Sequence, residues 1–250
     1  VIQVVNTSAN TTAWGLRKPG STDARNTSAF GNCQNWGYIG VDSNLTFQGY
    51  IGGTGIQFKL LGYFTSDGVF FTSAYTKTPG TYGSWVSVNC STEIPAGAKF
   101  AIVEITGSTS NPVGLRPPGS TDNRTAAISS HAFALVGLDA NRTFEFYRYA
   151  NSGSPALHLV GYLTSGVSKT NGADVSLTST GAYVNIDRSG DADSAGATAV
   201  LVERCPGWGS YALRKNGSTD DFYKNEYHAW GVVGLDSNKI FQGKISTTTV

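Results

Sequence analysis

The chain has 250 residues, of which 14% are charged, and a formal net charge of +1. So low and balanced a charge gives no field to hold the chain on nucleic acid or an anionic membrane, and neither partner is expected. Apolar residues fall in short runs far below the ~20 that span a bilayer, so no membrane insertion is expected.

In chain order, the first informative feature is Leu-Arg-x-x-Gly-Ser-Thr-Asp at residues 16–23, which recurs at 115–122 and 213–220, spaced 99 and then 98 residues apart. A period near 100 residues exceeds the ~20 to 50 of solenoid units and suits a small β-domain. Arg17, Arg116 and Arg214 each precede Asp23, Asp122 and Asp220 by six residues across a turn rich in Pro and Gly. That spacing lets the guanidinium reach the Asp, or the Asp reach loop amides, and predicts a structural loop lock. A phosphate cradle would need a helix start or a lysine at defined spacing after the loop, and the sequence has neither.

The second copy can be read strand by strand. Residues 100–105 form a β-branched run, 113–116 end at Pro117-Pro118, and 131–138 carry apolar residues on both faces, as a covered central strand would. Residues 142–147 alternate, with Phe144 and Phe146 on one face, and 156–163 form a fifth strand. Further strands are expected at 175–177 and 182–186. Asp42-Ser-Asn44, Asp139-Ala-Asn141 and Asp236-Ser-Asn238 fall between strands as hairpin turns, with Asp and Asn suited to a left-handed backbone. No apolar helical period persists for three turns. With 31 glycines, the chain is expected to be all-β: tandem antiparallel β-sandwich repeats of about 98 residues, jelly-roll or Ig-like. The expected divisions are residues 1–99, 100–198 and an incomplete third repeat, 199–250, completed by another module or by a neighbouring subunit.

The absence of methionine and eight Asn-x-Ser/Thr sequons among 16 asparagines point to a trimmed, secreted protein at an extracellular or cell-surface location. The glycosylation candidates are Asn6, Asn10, Asn26, Asn44, Asn89, Asn123, Asn141 and Asn216. The cysteines, Cys33, Cys90 and Cys205, lack metal-ligand spacing. A Cys33–Cys90 disulfide is one reading, with Cys205 a single thiol or an intermolecular link; three unpaired thiols are the other.

No catalytic set emerges. His131 and His228 are equivalent, but Gln34 stands at that position in the first copy, and Glu104 and Glu203 are also strand-equivalents, which suits scaffold duty better than acid-base work. The acids Asp187, Asp191 and Asp193 have too few oxygen donors at calcium-loop spacing, and no cofactor is expected beyond N-linked glycans. Trp36, Phe133 and Trp230 are expected in the core; Trp208, in a Cys-Pro-Gly-Trp-Gly loop, is the candidate contact for a sugar. Phe47-Gln-Gly-Tyr-Ile51 leads on to Leu60-Leu-Gly-Tyr-Phe-Thr65, a strand for which the third copy shows no counterpart after Phe241-Gln-Gly-Lys-Ile245. A half-made sandwich leaves open edges. The expected function is therefore a non-enzymatic structural subunit that associates with itself by β-strand complementation into a filament or surface layer; a carbohydrate-binding module is the alternative.

Overall fold

A computed structural model describes residues 1–107, 111–149, 155–205, 207 and 209–248. Around the first motif copy run β1 (Ile2–Asn6), β2 (Thr12–Arg17), β3 (Thr27–Ala29), β4 (Gln34–Gly37), β5 (Gln48–Ile51) and β6 (Ile56–Leu60). Then come β7 (Gly68–Thr76), β8 (Trp85–Asn89), β9 (Phe100–Thr106), β10 (Val113–Arg116), β11 (His131–Gly137), β12 (Thr143–Arg148) and β13 (Ala156–Leu163). The last are β14 (Val184–Asp187), β15 (Ala199–Arg204), β16 (Gly209–Lys215), β17 (Lys224–Glu226), β18 (Ala229–Gly234) and β19 (Ile240–Ile245). No α-helix occurs among the described residues; one short 3-10 turn covers Ala192–Ser194.

The strands form small antiparallel sheets, ordered β4-β1-β6, β3-β2-β5, β11-β9-β13-β7, β10-β12-β8, β18-β15 and β14-β19-β16-β17. One register recurs: Gln3 faces Trp36, Glu104 faces Phe133, and Glu203 faces Trp230. The three aromatic partners are buried to 2%, 1% and 3% exposure and tie the sheets into two apolar clusters.

Three expectations need correction. The divisions after 99 and 198 cut through hydrogen-bonded sheets, because β7 pairs with β13, β8 with β12, and β14 with β19. The turn at Cys90, whose carbonyl accepts from Glu93 and Ile94, folds β8 back beside strands that follow it. The strand at 131–138 is not central: β11 lies at the edge of its sheet, and it is buried because β4 and β18 pack against it. Residues 175–177 are not a strand; they have no ladder partner.

The Asp-x-Asn turns are not the expected hairpins: each joins strands of two different sheets, β4 to β5, β11 to β12 and β18 to β19, and neither the Asp nor the Asn takes the left-handed backbone. The left-handed residues are Leu45 (φ 59°), Arg142 (φ 60°) and Lys239 (φ 63°), each one past the Asn. The Asp side chain sets this geometry: Oδ1 of Asp42, Asp139 and Asp236 accepts the amides of Thr46, Thr143 and Ile240 from across the turn. Leu45 is 74% exposed, so its strained backbone gains nothing from packing. Leu45→Gly is expected to raise the urea unfolding free energy by about 0.5–1 kcal/mol, since glycine adopts this backbone region without the penalty a Cβ incurs.

Candidate functional site

The repeated motif folds identically three times. Ser21, Ser120 and Ser218 donate their amides to the carbonyls of Lys18, Pro117 and Lys215, closing a turn whose third residue is glycine at φ 82°, 79° and 83°. That backbone is the type II turn's requirement for glycine, and Pro19 and Pro118 pre-set the residue before it. The Ser Oγ then accepts the amide of Asp23, Asp122 or Asp220. Nη1 of Arg17, Arg116 and Arg214 donates to the backbone carbonyl of that Asp, at 3.0, 2.8 and 2.9 Å. Nε of each Arg meets its cross-strand partner, Gln48, Glu145 or Gln242. The guanidinium thus closes on the Asp carbonyl rather than on its carboxylate.

The freed carboxylates do something else. Asp23 grips Arg25, two residues on, at 2.9 Å, and Arg25 in turn donates to Glu104 at 2.6 Å. Glu104, 1% exposed, meets Nε2 of His131 with its other oxygen at 2.6 Å, and the His131 ring stacks on Trp14 with centroids 4.1 Å apart. The same clasp is built one copy later: Asp122 to Arg124 at 2.7 Å, Arg124 to Glu203 at 2.6 Å, and Glu203 to His228 at 2.8 Å. Each clasp runs from the loop of one copy to the β-strands of the next. Burial opposes the Arg25 charge, but Glu104 and Asp23 outweigh it and hold the guanidinium pKa above its usual value. Arg124 is raised in the same way by Glu203 and Asp122.

The third junction closes the ring without charge. Gln3 donates to Gln34 at 2.6 Å where the other copies pair Glu with His, and Gln34 donates onward to the Tyr211 carbonyl at 2.7 Å. Phe222 stands where Arg25 and Arg124 stand, with the Lys59 ammonium 5.8 Å from its ring centre. In the sequence Glu104 with Glu203 and His131 with His228 stand out as equivalents, though not as partners of one another, and Arg25, Arg124 and Gln3 do not stand out. The signal for the arginines was Asp-x-Arg in two copies against Asp-x-Phe in the third; Gln3 was hidden by a shift in the repeat spacing.

Where the copies meet, Ser129 Oγ donates to Glu226 Oε1 at 2.6 Å, Cys33 bridges to Asn225, and Arg204 donates to the Glu226 and Tyr227 carbonyls. Ser129 and Glu226 are fully buried at 0% exposure, so this hydroxyl–carboxylate pair has no path to a substrate. Burial pushes Glu226 up to about 7, against the hydrogen bonds from Ser129 and the Tyr227 amide and the charges of Arg204 and His228. Burial and the neighbouring Glu226 raise the Cys33 thiol to about 12, so it has almost no thiolate character. Burial opposes the His228 charge, but Cys205 and Glu203 push it up to about 9.

The remaining candidates disperse. Cys33 and Cys90 are free thiols in different surroundings, Cys33 at this junction and Cys90 inside the cluster of Val88 and Ile94, so the disulfide reading is not met. Asn6 is 1% exposed and its Nδ2 donates to the carbonyls of Asn10, Ala29 and Phe30, bonds that a glycan would displace, so it drops from the sequon candidates. Asn10, Asn26, Asn44, Asn89, Asn123 and Asn141 are exposed, while Asn216 donates to Asp236 at 2.7 Å. Asp191 is paired by Arg188 and Asp193 by Lys169. Trp208 lies outside the described residues.

Two measurements test this arrangement. Arg25→Met is expected to cost about 3 kcal/mol in chemical denaturation, because it strands a buried carboxylate. Adding Glu104→Gln and His131→Gln, which copies the Gln3–Gln34 junction, should recover most of that loss. The second is a pH series. Folded Glu226 keeps its proton up to about pH 7, while in the unfolded chain it is released near 4.5. The folded state is then the more protonated across that window, so stability falls as pH rises through it. His228 adds a fall of the same sign between 6.5 and about 9. Glu226→Gln is expected to remove the first fall, on the order of 2 kcal/mol, when urea midpoints are compared from about pH 5 to about pH 8. No protein-family model, no curated protein and no solved structure matches the chain.

Proposed function

We propose that this protein is a non-enzymatic, secreted structural subunit, built of tandem β-sandwich units, that associates with itself through β-strand complementation into an extracellular filament or surface layer. The observation that carries the reading is the edge of β15. In the equivalent positions, β1 is flanked by β4 and β6, and β9 by β11 and β13, and both are buried along their whole length. Among the described residues β15 pairs with β18 alone, and Val200, Leu201 and Val202 are left half-exposed. A strand edge of this kind, with apolar side chains beside it, is a template for pairing with another chain.

Among the described residues β5 pairs with β2 alone, and it carries Tyr50 and Ile51 at 48% and 51% exposure. Its counterparts β12 and β19 are each flanked on both sides. The six exposed sequon asparagines are compatible with passage through a secretory pathway. The motif loops and the clasps are saturated by contacts within the chain, which leaves the sheet edges as the surfaces for association.

Light scattering across a concentration series, paired with electron microscopy of negatively stained material, tests the reading. Growth of mass with concentration and extended assemblies are expected. A monodisperse monomer up to millimolar concentration, with β15 amides protected from hydrogen exchange, would sink it.

A further inference from the structure

We propose that the outward face of the β10-β12-β8 sheet, at Tyr82, Tyr147 and Tyr149, is a binding platform for a neutral polysaccharide chain. It goes beyond association through strand edges and does not depend on it.

The inward face of this sheet gives Val88, Leu115, Phe144 and Phe146 to the core. The alternation of β12 turns Thr143, Glu145 and Tyr147 outward, and Tyr149, whose amide donates to the Pro112 carbonyl at 3.0 Å, continues that face at 59% exposure. Two residues apart on one face, Tyr147 and Tyr149 are spaced ~6.6 Å along the strand. Trp85 of β8 stands opposite Tyr147 in the ladder, with ring centroids 5.6 Å apart. The Arg116 guanidinium lies 4.2 Å from the centre of the Trp85 ring, and Trp85 Nε1 donates to Asn123 Oδ1 at 3.1 Å. Trp85 is thus braced by Arg116 and Asn123 and supports Tyr147 from the side.

Arg148 holds Tyr82 at the same end of the sheet. The Gly83 amide donates to the Arg148 carbonyl at 2.8 Å, and the Arg148 guanidinium donates to the carbonyls of Gly80 and Thr81 at 3.1 and 3.3 Å. These bonds fix the loop that carries Tyr82, which is 53% exposed.

Comparing the copies separates scaffold from addition. The same backbone bond recurs in the third copy, from the Gly181 amide to the Ile245 carbonyl at 3.0 Å, so Tyr82, Arg148 and Tyr149 match Thr180, Ile245 and Ser246. In the first copy Ile51 and Gly52 stand in place of Arg148 and Tyr149. The sheet is therefore built without the arginine and without these tyrosines. Burying a guanidinium is costly, and Arg148 is 4% exposed. A buried charge that fixes a loop, beside exposed rings that add nothing to the core, marks a binding surface.

The charges assign the ligand. Among the described residues of the three strands, the charged side chains turned outward are Arg116 and Glu145, cross-strand partners joined in an ion pair. Beside them on the face are Ser87, Asn89 and Thr143, which offer hydroxyl and amide groups. Aromatic rings among neutral hydrogen-bonding groups fit a pyranose, whose C–H face lies on a tyrosine ring while its hydroxyls meet polar groups at the ring's edge. A phosphorylated ligand would need an unpaired cation on the face.

The intact chain, produced without N-glycans so that the probe is the sole sugar present, is titrated calorimetrically with cellohexaose, mannohexaose, chitohexaose and maltohexaose, and with the anionic hexagalacturonate. Saturable binding of at least one neutral chain is expected. Tyr149→Ala should weaken it about fivefold and the double variant Tyr82→Ala, Tyr149→Ala about twentyfold, the range of lost aromatic contacts. Both side chains are exposed, so these variants keep the fold. Tyr149→Phe retains the ring and should bind within about twofold of the parent. Tyr63→Ala, at a tyrosine 69% exposed outside this sheet, should bind as the parent does. No saturation by any neutral chain up to about 10 mM overturns the platform. Unchanged affinity in the double variant, or an equal loss in Tyr63→Ala, overturns its location, and binding of hexagalacturonate alone overturns the neutral ligand. Binding by a protein that stays monomeric in light scattering supports the platform while removing self-association; assemblies that bind no neutral chain remove the platform and leave self-association standing.

Discussion

A carboxylate withdrawn from water needs a fixed set of donors, and Glu104 and Glu203 impose that need on the structure around them. One oxygen of each takes a histidine ring and the other an arginine from the preceding copy. The arginine can deliver its charge only if an aspartate two residues earlier holds it. That aspartate is aimed by a turn requiring glycine at positive φ and closed by a second arginine through the backbone carbonyl. In the third copy, where Gln3 stands in place of the acid and Phe222 in place of the arginine, the turn is still built; where the acid is present, loss of the arginine leaves one carboxylate oxygen without its partner.

The clasps also order the copies. Two junctions are ionic and directional, and the third, where Gln3 meets Gln34 and Phe222 replaces the arginine, is neutral. β4, β11 and β18 pack against one another around a common line, and the Tyr38 hydroxyl reaches across to the Trp230 carbonyl at 2.7 Å. A closed ring leaves no clasp unmatched for another molecule. Among the described residues, strand edges without a ladder partner lie at β15 and β5.

Much of the strand pattern was legible because alternation and turn residues are local signals. Val113–Arg116 and Ala156–Leu163 are bounded as the sequence reading expected, and Phe144 and Phe146 point inward. The errors have physical causes. The apolar residues of β11 on both faces signalled burial correctly, but packing against neighbouring copies covers the strand instead of flanking ladders. Residues 175–177 have strand composition, but a strand forms only beside a partner. The Asp-x-Asn turns lead from one sheet to another instead of closing hairpins, and their left-handed residues are Leu45, Arg142 and Lys239, poor candidates by type, because the preceding aspartate side chain dictates the backbone more strongly than the residue's own preference.

The sequence by itself determined the threefold recurrence, the all-β character, the turn at each Gly-Ser-Thr-Asp and the equivalence of His131 with His228, since each follows from spacing and local backbone chemistry. Only the tertiary structure decided that Arg25 and Arg124 reach into the next copy, that Gln3 is the neutral counterpart of Glu104 and Glu203, that β7 and β8 belong with strands after them, and that β15, among the described residues, pairs with β18 alone. These are contacts between residues about 30 to 100 positions apart in the chain. Their pairing is set by which faces and edges are brought together when the copies close on one another, and nothing local records that.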